Sequence, residues 1–183
     1  LTRMLKSGRV PSLIFWGPPG SGKTTIARLL AGETNLAFEQ LSAIFSGVAD
    51  LRKAFERAKV LREQGKGTLL FVDEIHRFNR SQQDSFLPHM EDGTITLVGA
   101  TTENPSFELN AALLSRASVL VLNRLDDETL ETLLTRADAD VGRPLPLNPD
   151  AREALKCIAD GDGRAILNLA EDVFAGVAAN CKP

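Results

Sequence analysis

Short apolar runs alternate along the first two-thirds of the chain with segments whose apolar residues recur every three or four positions. The short runs are apolar on both faces, which is typical of strands buried in a parallel sheet. The intervening segments, among them 48–64 and 80–91, have helical periodicity. This alternation predicts an α/β fold, a doubly wound parallel five-stranded sheet with helices on both faces. We predict its strands at residues 12–16, 37–41, 68–73, 96–100 and 119–122.

The pattern changes after residue 124, where strand-like runs stop and three helical patterns follow. Asp126 opens the first, and its acidic first turn suits the helix dipole. The second begins with Asn148 as N-cap and Pro149 as first residue. The third runs from about 163 to 177. We therefore predict an αβ core over 1–124 and a small all-helical lid over 125–183.

A glycine-rich segment, GPPGSGKT at 17–24, joins the first strand to the first helix. Gly20 and Gly22 can adopt positive φ and turn backbone N–H groups around an anion, next to a helix N-terminus. Lys23 supplies a charge for β- and γ-phosphates, and Thr24 supplies a hydroxyl for Mg²⁺. The segment predicts a site for a nucleoside triphosphate; a glycine turn that binds nothing is the alternative. The expected cofactor-binding residues are Gly17, Pro18, Pro19, Gly20, Ser21, Gly22, Lys23, Thr24 and Thr25.

Polar residues end the third and fourth predicted strands, whose carboxyl ends share the sheet edge with the glycine-rich segment. Asp73 can hold the water shell of Mg²⁺, and Glu74 can accept a proton from an attacking water. A capping or solvated acidic turn is the alternative for this pair. After the fourth strand, Thr102 could orient the water, with Asn104 as the competing candidate. ATP and Mg²⁺ are the predicted cofactors.

Two arginines have both a structural and a catalytic interpretation. Arg116 closes a short predicted helix, where it either caps carbonyl groups or serves as an arginine finger to a neighbouring subunit. Arg164 lies in the first turn of the last helix, where a cation opposes the dipole unless an anion is near. That anion is either a γ-phosphate or an acidic neighbour such as Asp160 or Asp162.

Composition limits the functional classes. An apolar fraction of 43% with 25% charged residues is ordinary for a soluble protein. A net charge of −3 argues against a generally basic, nucleic-acid-coating surface. No apolar run is long enough to span a bilayer, so no membrane partner is expected. Cys157 and Cys181 are interpreted as reduced thiols of a cytosolic protein. The leucine at the start suggests a piece of a longer protein.

Two further features have modest interpretations. The histidines, His76 and His89, are thirteen positions apart and match no zinc spacing, and we expect His89 to pack or to cap. The segment 52–66 contains six basic and two acidic residues. It is interpreted as a solvated helix face with i,i+3 and i,i+4 ion pairs, and a DNA-contact surface is the alternative.

Together these motifs resemble an AAA+ ATPase, and one stretch resembles the RarA/MgsA family, bacterial relatives of the Werner helicase-interacting protein. That stretch reads FVDEIHRFNRSQQDSFLPHMEDGTITLVGATTENPSFELNAALLSRA, within a match from about 12 to 171. The resemblance implies ATP hydrolysis coupled to handling DNA at stalled replication forks or DNA ends. It also implies a homo-oligomer in the bacterial cytosol at the nucleoid, with single-strand-binding protein and other replisome components as candidate partners.

The resemblance also implies a role for each site residue: Lys23 and Thr24 (Walker A), Asp73 and Glu74 (Walker B), Thr102 (sensor 1), Arg116 (arginine finger, acting in trans) and Arg164 (sensor 2). The family carries an adenine-pocket segment upstream and an oligomerisation region downstream, so we expect little ATPase activity from this stretch alone. The rival hypothesis is a nucleotide-gated scaffold that recruits replication proteins without turnover. Glu74 argues against that hypothesis, because a pure switch needs no carboxylate to activate water.

Overall fold

A computed structural model describes residues 10–180, with side chains to residue 176. Its strands form one five-stranded sheet in the order β2-β3-β4-β1-β5, and every pairing is parallel. The predicted parallel five-stranded sheet is therefore confirmed. The strands are β1 (Leu13–Trp16), β2 (Ala37–Ser42), β3 (Thr68–Asp73), β4 (Ile95–Thr101) and β5 (Ser118–Val121).

The chain forms two compact units. The first comprises residues through Gly17 together with Lys23–Leu122, and the second comprises Pro18–Gly22 together with residues from Asn123 onward. The helices described in the first unit are α1 (Lys23–Glu33), α2 (Val48–Glu63), α3 (Arg80–Asp84), α4 (Leu87–Glu91), α5 (Pro105–Glu108) and α6 (Ala111–Leu114), with a 3₁₀ turn at Ile75–Arg77.

The prediction of one helix over 80–91 is wrong, because α3 ends at Asp84 and α4 starts at Leu87. Pro88 lies in the first turn of α4. Proline has no N–H to donate to the carbonyl group four residues earlier, which here belongs to Asp84. Apolar periodicity continues across the break, but the hydrogen-bond ladder does not.

The sheet of the first unit is covered on both faces, as a doubly wound fold requires. Leu13 and Phe15 of β1 pack in one apolar cluster with Leu30 of α1. Ile14, between them in sequence, packs in the opposite cluster with Phe55 of α2. Neighbouring residues of one strand thus enter different cores, which explains the uninterrupted apolar runs in the sequence.

The expectation that all five strands are buried is wrong for both edge strands: in β2 only Leu41 is buried, and the exposure is greater in β5. Its side chains are mostly exposed, with Val119 at 40% and Val121 at 60%. β5 is at an edge of the sheet and pairs only with β1 in the observed strand order. An apolar composition identifies a strand but does not say whether the strand is central or lies at an edge.

The second unit contains three described helices, α7 (Asp127–Val141), α8 (Pro149–Ala159) and α9 (Gly163–Asn180). The predicted N-cap of α8 is confirmed, since Asn148 accepts a hydrogen bond from the N–H of Ala151 at 2.8 Å. Asp126, which was predicted to open a helix with an acidic first turn, also caps α7 by accepting a hydrogen bond from the N–H of Thr129 at 2.8 Å. Cys157 is a free, exposed thiol, and Cys181 lies outside the described residues. Between residues 10 and 180, no helix has the length and apolar character needed to cross a membrane.

His89 of α4 packs against Phe55, with ring centroids 4.2 Å apart, as the packing interpretation expected. Its Nδ1 is buried and has no hydrogen-bond partner among the described residues. Burial and the positive charge of Lys59 lower the pKa of His89 below its usual 6.5, while Asp92 and Glu56 oppose the shift. The folded protein therefore favours the neutral imidazole at this position.

This preference predicts that acidification destabilises the protein through His89. Below about pH 6.5 the unfolded chain takes up a proton at His89 more readily than the folded chain does, so the free energy of unfolding decreases until the lowered pKa is passed. Urea unfolding midpoints between about pH 7.5 and 5.5 check this, with His89→Phe as the comparison. We expect the wild type to lose more stability than the variant; equal losses would contradict the prediction.

Candidate functional site

The glycine-rich loop has the backbone that its sequence predicts. Gly20 and Gly22 adopt φ angles of 68° and 85°, in the left-handed region that favours glycine. At the start of the loop, the Gly17 N–H donates to the carbonyl oxygen of Thr101 at 3.1 Å. A Cβ atom at Gly17 would overlap the carbonyl oxygen of Leu122. The chain can therefore leave β1 along this path only with glycine at position 17.

Lys23 is the first residue of α1 and is only 8% exposed. Its Nζ donates a hydrogen bond of 2.9 Å to the carbonyl oxygen of Gly17. A buried ammonium group needs such acceptors, since leaving it without them is costly. The contact holds the charge of Lys23 beside the residue where the loop begins. Thr24 and Thr25 follow in the first turn of α1.

Within the second unit, the tip of the loop contacts the start of α9. The Gly163 N–H donates to the carbonyl oxygen of Gly20 at 3.2 Å. The carboxylate of Asp162 occupies the space that a Cβ atom at Gly20 would need. Ser21 Oγ donates to the carbonyl oxygen of Pro18 at 2.9 Å. Gly20 is therefore required both by its φ and by close packing.

Arg164 is exposed in the first turn of α9. Asp162 accepts hydrogen bonds from the backbone N–H groups of Arg164 and Ala165, at 2.8 and 2.9 Å, so it caps the helix. Asp160 forms an ion pair with Arg124 instead. The helix start that carries Arg164 therefore also carries the acidic group of Asp162. An acidic neighbour was one of the two alternatives expected for this arginine. The sensor-2 role of Arg164 stays a prediction.

The carboxyl ends of β1, β3 and β4 share one edge of the sheet. Ile14, Gly99 and Val72 align across these three strands, and Trp16 aligns with Thr101 two residues further on. Asp73 follows Val72 as the last residue of β3. Asp73 and Glu74 are therefore on the edge from which the glycine-rich loop departs, as predicted.

Glu74 has a strained backbone, with φ 52° and ψ 45°. The left-handed conformation costs a non-glycine residue about 1–2 kcal/mol, and such strain is concentrated at functional sites. Thr102 Oγ1 donates to Glu74 Oε2 at 3.2 Å. The competing candidate, Asn104, caps α5 by accepting a hydrogen bond from the N–H of Ser106 at 3.0 Å. Of the two candidates, Thr102 is therefore the one that contacts the acid.

Sequence reasoning missed two residues at this edge. His76 Nδ1 lies 3.2 Å from Glu74 Oε2 and 2.9 Å from Thr101 Oγ1. The His76 side chain is 7% exposed, and Thr101 is fully buried. The available signal was a histidine two positions after the acid. Its partner on β4 follows only from the pairing of the strands.

Arg116 lies near the amino-terminal ends of the strands, whereas the glycine-rich loop begins at their carboxyl ends. It precedes β5 by two residues, and Ser118, the first residue of β5, aligns with Leu13, the first residue of β1. The glycine-rich loop leaves the other end of β1, and the ends of a four-residue strand are about 10 Å apart. Nε of Arg116 donates to Glu91 at 2.7 Å, and Nη1 donates to the Ala112 carbonyl oxygen at 2.9 Å. The structure therefore does not bring Arg116 together with Glu74.

Basic residues on α2 have acidic partners. Arg57 pairs with Glu39 at 3.0 Å, Lys59 with Glu56 at 3.1 Å and Arg62 with Asp92 at 3.5 Å. Three of the six basic residues of segment 52–66 are thus in ion pairs, which favours the solvated-face interpretation over DNA contact. The described part of the chain contains no group of three or more His, Cys, Asp or Glu that could hold a metal ion. Mg²⁺ in nucleotide sites uses one or two carboxylates with waters and phosphates, so a lone carboxylate such as Asp73 is compatible with it, and the metal role of Thr24 and Asp73 stays a prediction.

Known proteins match most of the chain. The model of the ATPase family associated with various cellular activities (AAA) matches residues 13–125. Replication-associated recombination protein A of Escherichia coli (strain K12) is 52% identical over 176 residues, which are 93% of this chain and 39% of that protein. ATPase WRNIP1 of Dictyostelium discoideum is 47% identical over 171 residues, 91% of this chain and 20% of that protein.

Among solved structures, the Thermotoga maritima RuvB Holliday junction branch migration motor superposes with a TM-score of 0.74 at 28% identity, covering 93% of this chain and 57% of that one. The chain spans 39% of the length of the Escherichia coli relative.

Proposed function

The chain belongs to the ATPase family associated with various cellular activities, and from this premise we propose that it is the ATP-hydrolysing module of a replication-associated recombination protein. The main support is the contact between Thr102 and Glu74, 3.2 Å long, at the sheet edge where the glycine-rich loop begins. A hydrogen-bonded carboxylate at that edge is suited to accept a proton from water. A scaffold that binds ATP without hydrolysing it needs no such carboxylate.

In the proposed reaction, Lys23 and the loop N–H groups bind the β- and γ-phosphates of ATP. Thr24 and Asp73 hold Mg²⁺, which neutralises charge on the phosphates when it is bound. Glu74 accepts a proton from the attacking water, and Thr102 helps to orient it. Water attacks the γ-phosphorus, the bond to the β-phosphate oxygen breaks, and ADP and phosphate are released. Arg164 has the sensor-2 role implied by the resemblance.

Arg116 is proposed to act in trans. Because Arg116 lies at the end of the strands opposite the loop, it does not reach a nucleotide bound by its own chain, and we assign it to the nucleotide of a neighbouring copy. The proposal therefore includes a homo-oligomer. A head-to-tail interface of this kind joins two different surfaces of the same chain and closes into a ring when the rotation permits.

The proposed substrate of the whole protein is DNA at stalled forks or ends, with ATP turnover coupled to it. The names of the relatives, a replication-associated recombination protein and a Holliday junction motor, support this assignment. Single-strand-binding protein and other replisome components are proposed as partners, and the bacterial cytosol at the nucleoid as the location.

ATPase measurements on the full-length protein test the proposal. We expect phosphate release with Mg²⁺ and a rate increase when single-stranded or forked DNA is added. Lys23→Ala is the negative control, because losing a charge-assisted hydrogen bond weakens ATP binding by about 10- to 150-fold. Lys53→Ala, an exposed lysine on α2, is the matched control that should retain binding. Hydrolysis that ignores DNA would contradict the coupling, and an absence of hydrolysis would contradict the enzyme.

A further inference from the structure

His76 connects β4 to Glu74, the acid that directly follows β3. Its Nδ1 lies 2.9 Å from the hydroxyl oxygen of Thr101, the last residue of β4, and 3.2 Å from Glu74 Oε2. The 3₁₀ turn Ile75–Arg77 carries His76, and the buried Ile75 anchors that turn in the core. The imidazole is thus held by a fixed turn on one side and by a central strand on the other.

The hydrogen positions follow from the acceptors around Nδ1. An ionised carboxylate only accepts hydrogen bonds, so a ring nitrogen facing Glu74 must carry the hydrogen. The Thr101 hydroxyl accepts from the N–H of Glu103 at 3.0 Å and can donate its own proton to the Glu103 carbonyl oxygen at 3.1 Å. The remaining lone pair on Thr101 is therefore available to accept from His76. Nδ1–H, shared between Thr101 and Glu74, satisfies every partner.

The carboxylate of Glu74 needs such support. Its left-handed backbone turns the side chain away from the direction it would take in a continuing strand. A residue in this conformation persists when its surroundings specify it more than once. Oε2 receives two contacts at 3.2 Å, from Thr102 and from His76. Thr102 lies on the segment that leaves β4, whereas the contact from His76 comes from a largely buried ring.

We propose that His76 is a positioning residue for hydrolysis: it fixes the carboxylate of Glu74 by donating from Nδ1, and Thr101 fixes the ring. This inference rests on the proposed function, since it assigns His76 to the proposed base. No step of the reaction passes through the imidazole. The ring keeps Glu74 in one orientation, in which the acid meets the attacking water without first reorganising.

The test compares variants of His76 in the full-length protein. His76→Ala is expected to lower kcat by about 10- to 100-fold with KM for ATP unchanged, because a misplaced base slows the chemical step without affecting phosphate binding. His76→Asn places an amide nitrogen with two hydrogens where Nδ1 was, so it should recover part of the rate. His76→Gln, whose amide reaches the Nε2 position instead, should recover less.

Two more variants separate positioning from a general structural role. Thr101→Val removes the hydroxyl with little change in shape and is expected to lower kcat less than His76→Ala does. In a Glu74→Gln background, His76→Ala should cause little further loss, because no base remains to be positioned. His89→Asn changes the chain's other histidine, which packs on Phe55, and should leave kcat unchanged.

The outcomes distinguish this inference from the proposed function. If the wild type hydrolyses ATP, Glu74→Gln stops it and His76→Ala retains the wild-type kcat, then only the inference about His76 is overturned. A wild type without hydrolysis overturns both. If His76→Ala unfolds, as judged by circular dichroism, the kcat values of His76→Asn and Thr101→Val test the inference about His76 instead. Equal rates for the Asn and Gln variants would refute the role of Nδ1–H.

Discussion

Replacing Glu74 by glutamine is expected to lower ATP turnover by about 10²- to 10⁴-fold, the usual contribution of a general base. The amide keeps the size of the side chain and can still accept a hydrogen bond from Thr102, but it cannot take a proton from water. Binding of ATP should persist, since Lys23 and the glycine-rich loop are untouched. Single-turnover phosphate release and equilibrium ATP binding, both on the full-length protein, check the two halves of this prediction.

Glu63→Gln is the matched control for Glu74. It makes the same chemical change at an exposed position of α2 and should leave turnover at the wild-type level. Unchanged hydrolysis in Glu74→Gln would mean that another group activates the water. If both binding and hydrolysis disappeared, the variant would not separate the base from the binding site, and the assigned role would be wrong.

Replacing Arg116 by alanine is expected to lower kcat of the oligomer by about 10³- to 10⁵-fold, the range for arginine fingers. The physical reason is the loss of a positive charge from the phosphoryl group as negative charge develops on it. ATP binding should change little, because Arg116 lies at the edge opposite the loop of its own chain. Steady-state ATPase assays at a protein concentration that maintains the oligomer provide the measurement.

Mixing two inactive variants shows whether Arg116 acts in trans. Arg116→Ala retains an intact nucleotide site, and Lys23→Ala retains an intact finger. In a ring assembled at random from equal amounts of the two variants, about a quarter of the interfaces combine the intact nucleotide site of an Arg116→Ala subunit with the intact finger of a Lys23→Ala subunit. We therefore expect the mixture to recover a substantial part of the activity that each variant lacks alone. A mixture as inactive as its components would contradict action in trans.

The contacts of Arg116 within its own chain call for a separate control. Its guanidinium pairs with Glu91 at 2.6 Å and donates to the Ala112 carbonyl oxygen. Glu91→Gln weakens the ion pair and leaves the guanidinium in place, so activity should be retained. If Glu91→Gln were as inactive as Arg116→Ala, the arginine would act by holding its own chain together.

Much of the first unit was predictable because local patterns and tertiary packing agree there. The strand predicted at 68–73 is β3 itself, and the other four predicted strands match the observed ones within two residues at each end. The resemblance to the RarA/MgsA family, based on the Walker and sensor motifs, is confirmed by the relatives. The positive φ at Gly20 and Gly22 also followed from sequence, since only glycine adopts such angles freely.

The misses have a common physical cause. The break between α3 and α4 depends on one missing N–H at Pro88, which leaves the apolar spacing unchanged. The exposure of β5 depends on which strand lies at an edge, and the contact of His76 with Thr101 depends on β3 and β4 being neighbours in the sheet. Neither neighbour relation is a property of a single segment.

By itself, the sequence of this protein determined the strands, the N-cap of α8 and the positive-φ glycines of the loop after β1. All of these depend on the chemistry of a few adjacent residues. Only the tertiary structure decided that Thr102 rather than Asn104 contacts Glu74 and that His76 contacts the same carboxylate. It also decided that Arg116 lies away from its own chain's loop. These relations join residues distant in sequence, and they exist only once parallel strands have set their order and register.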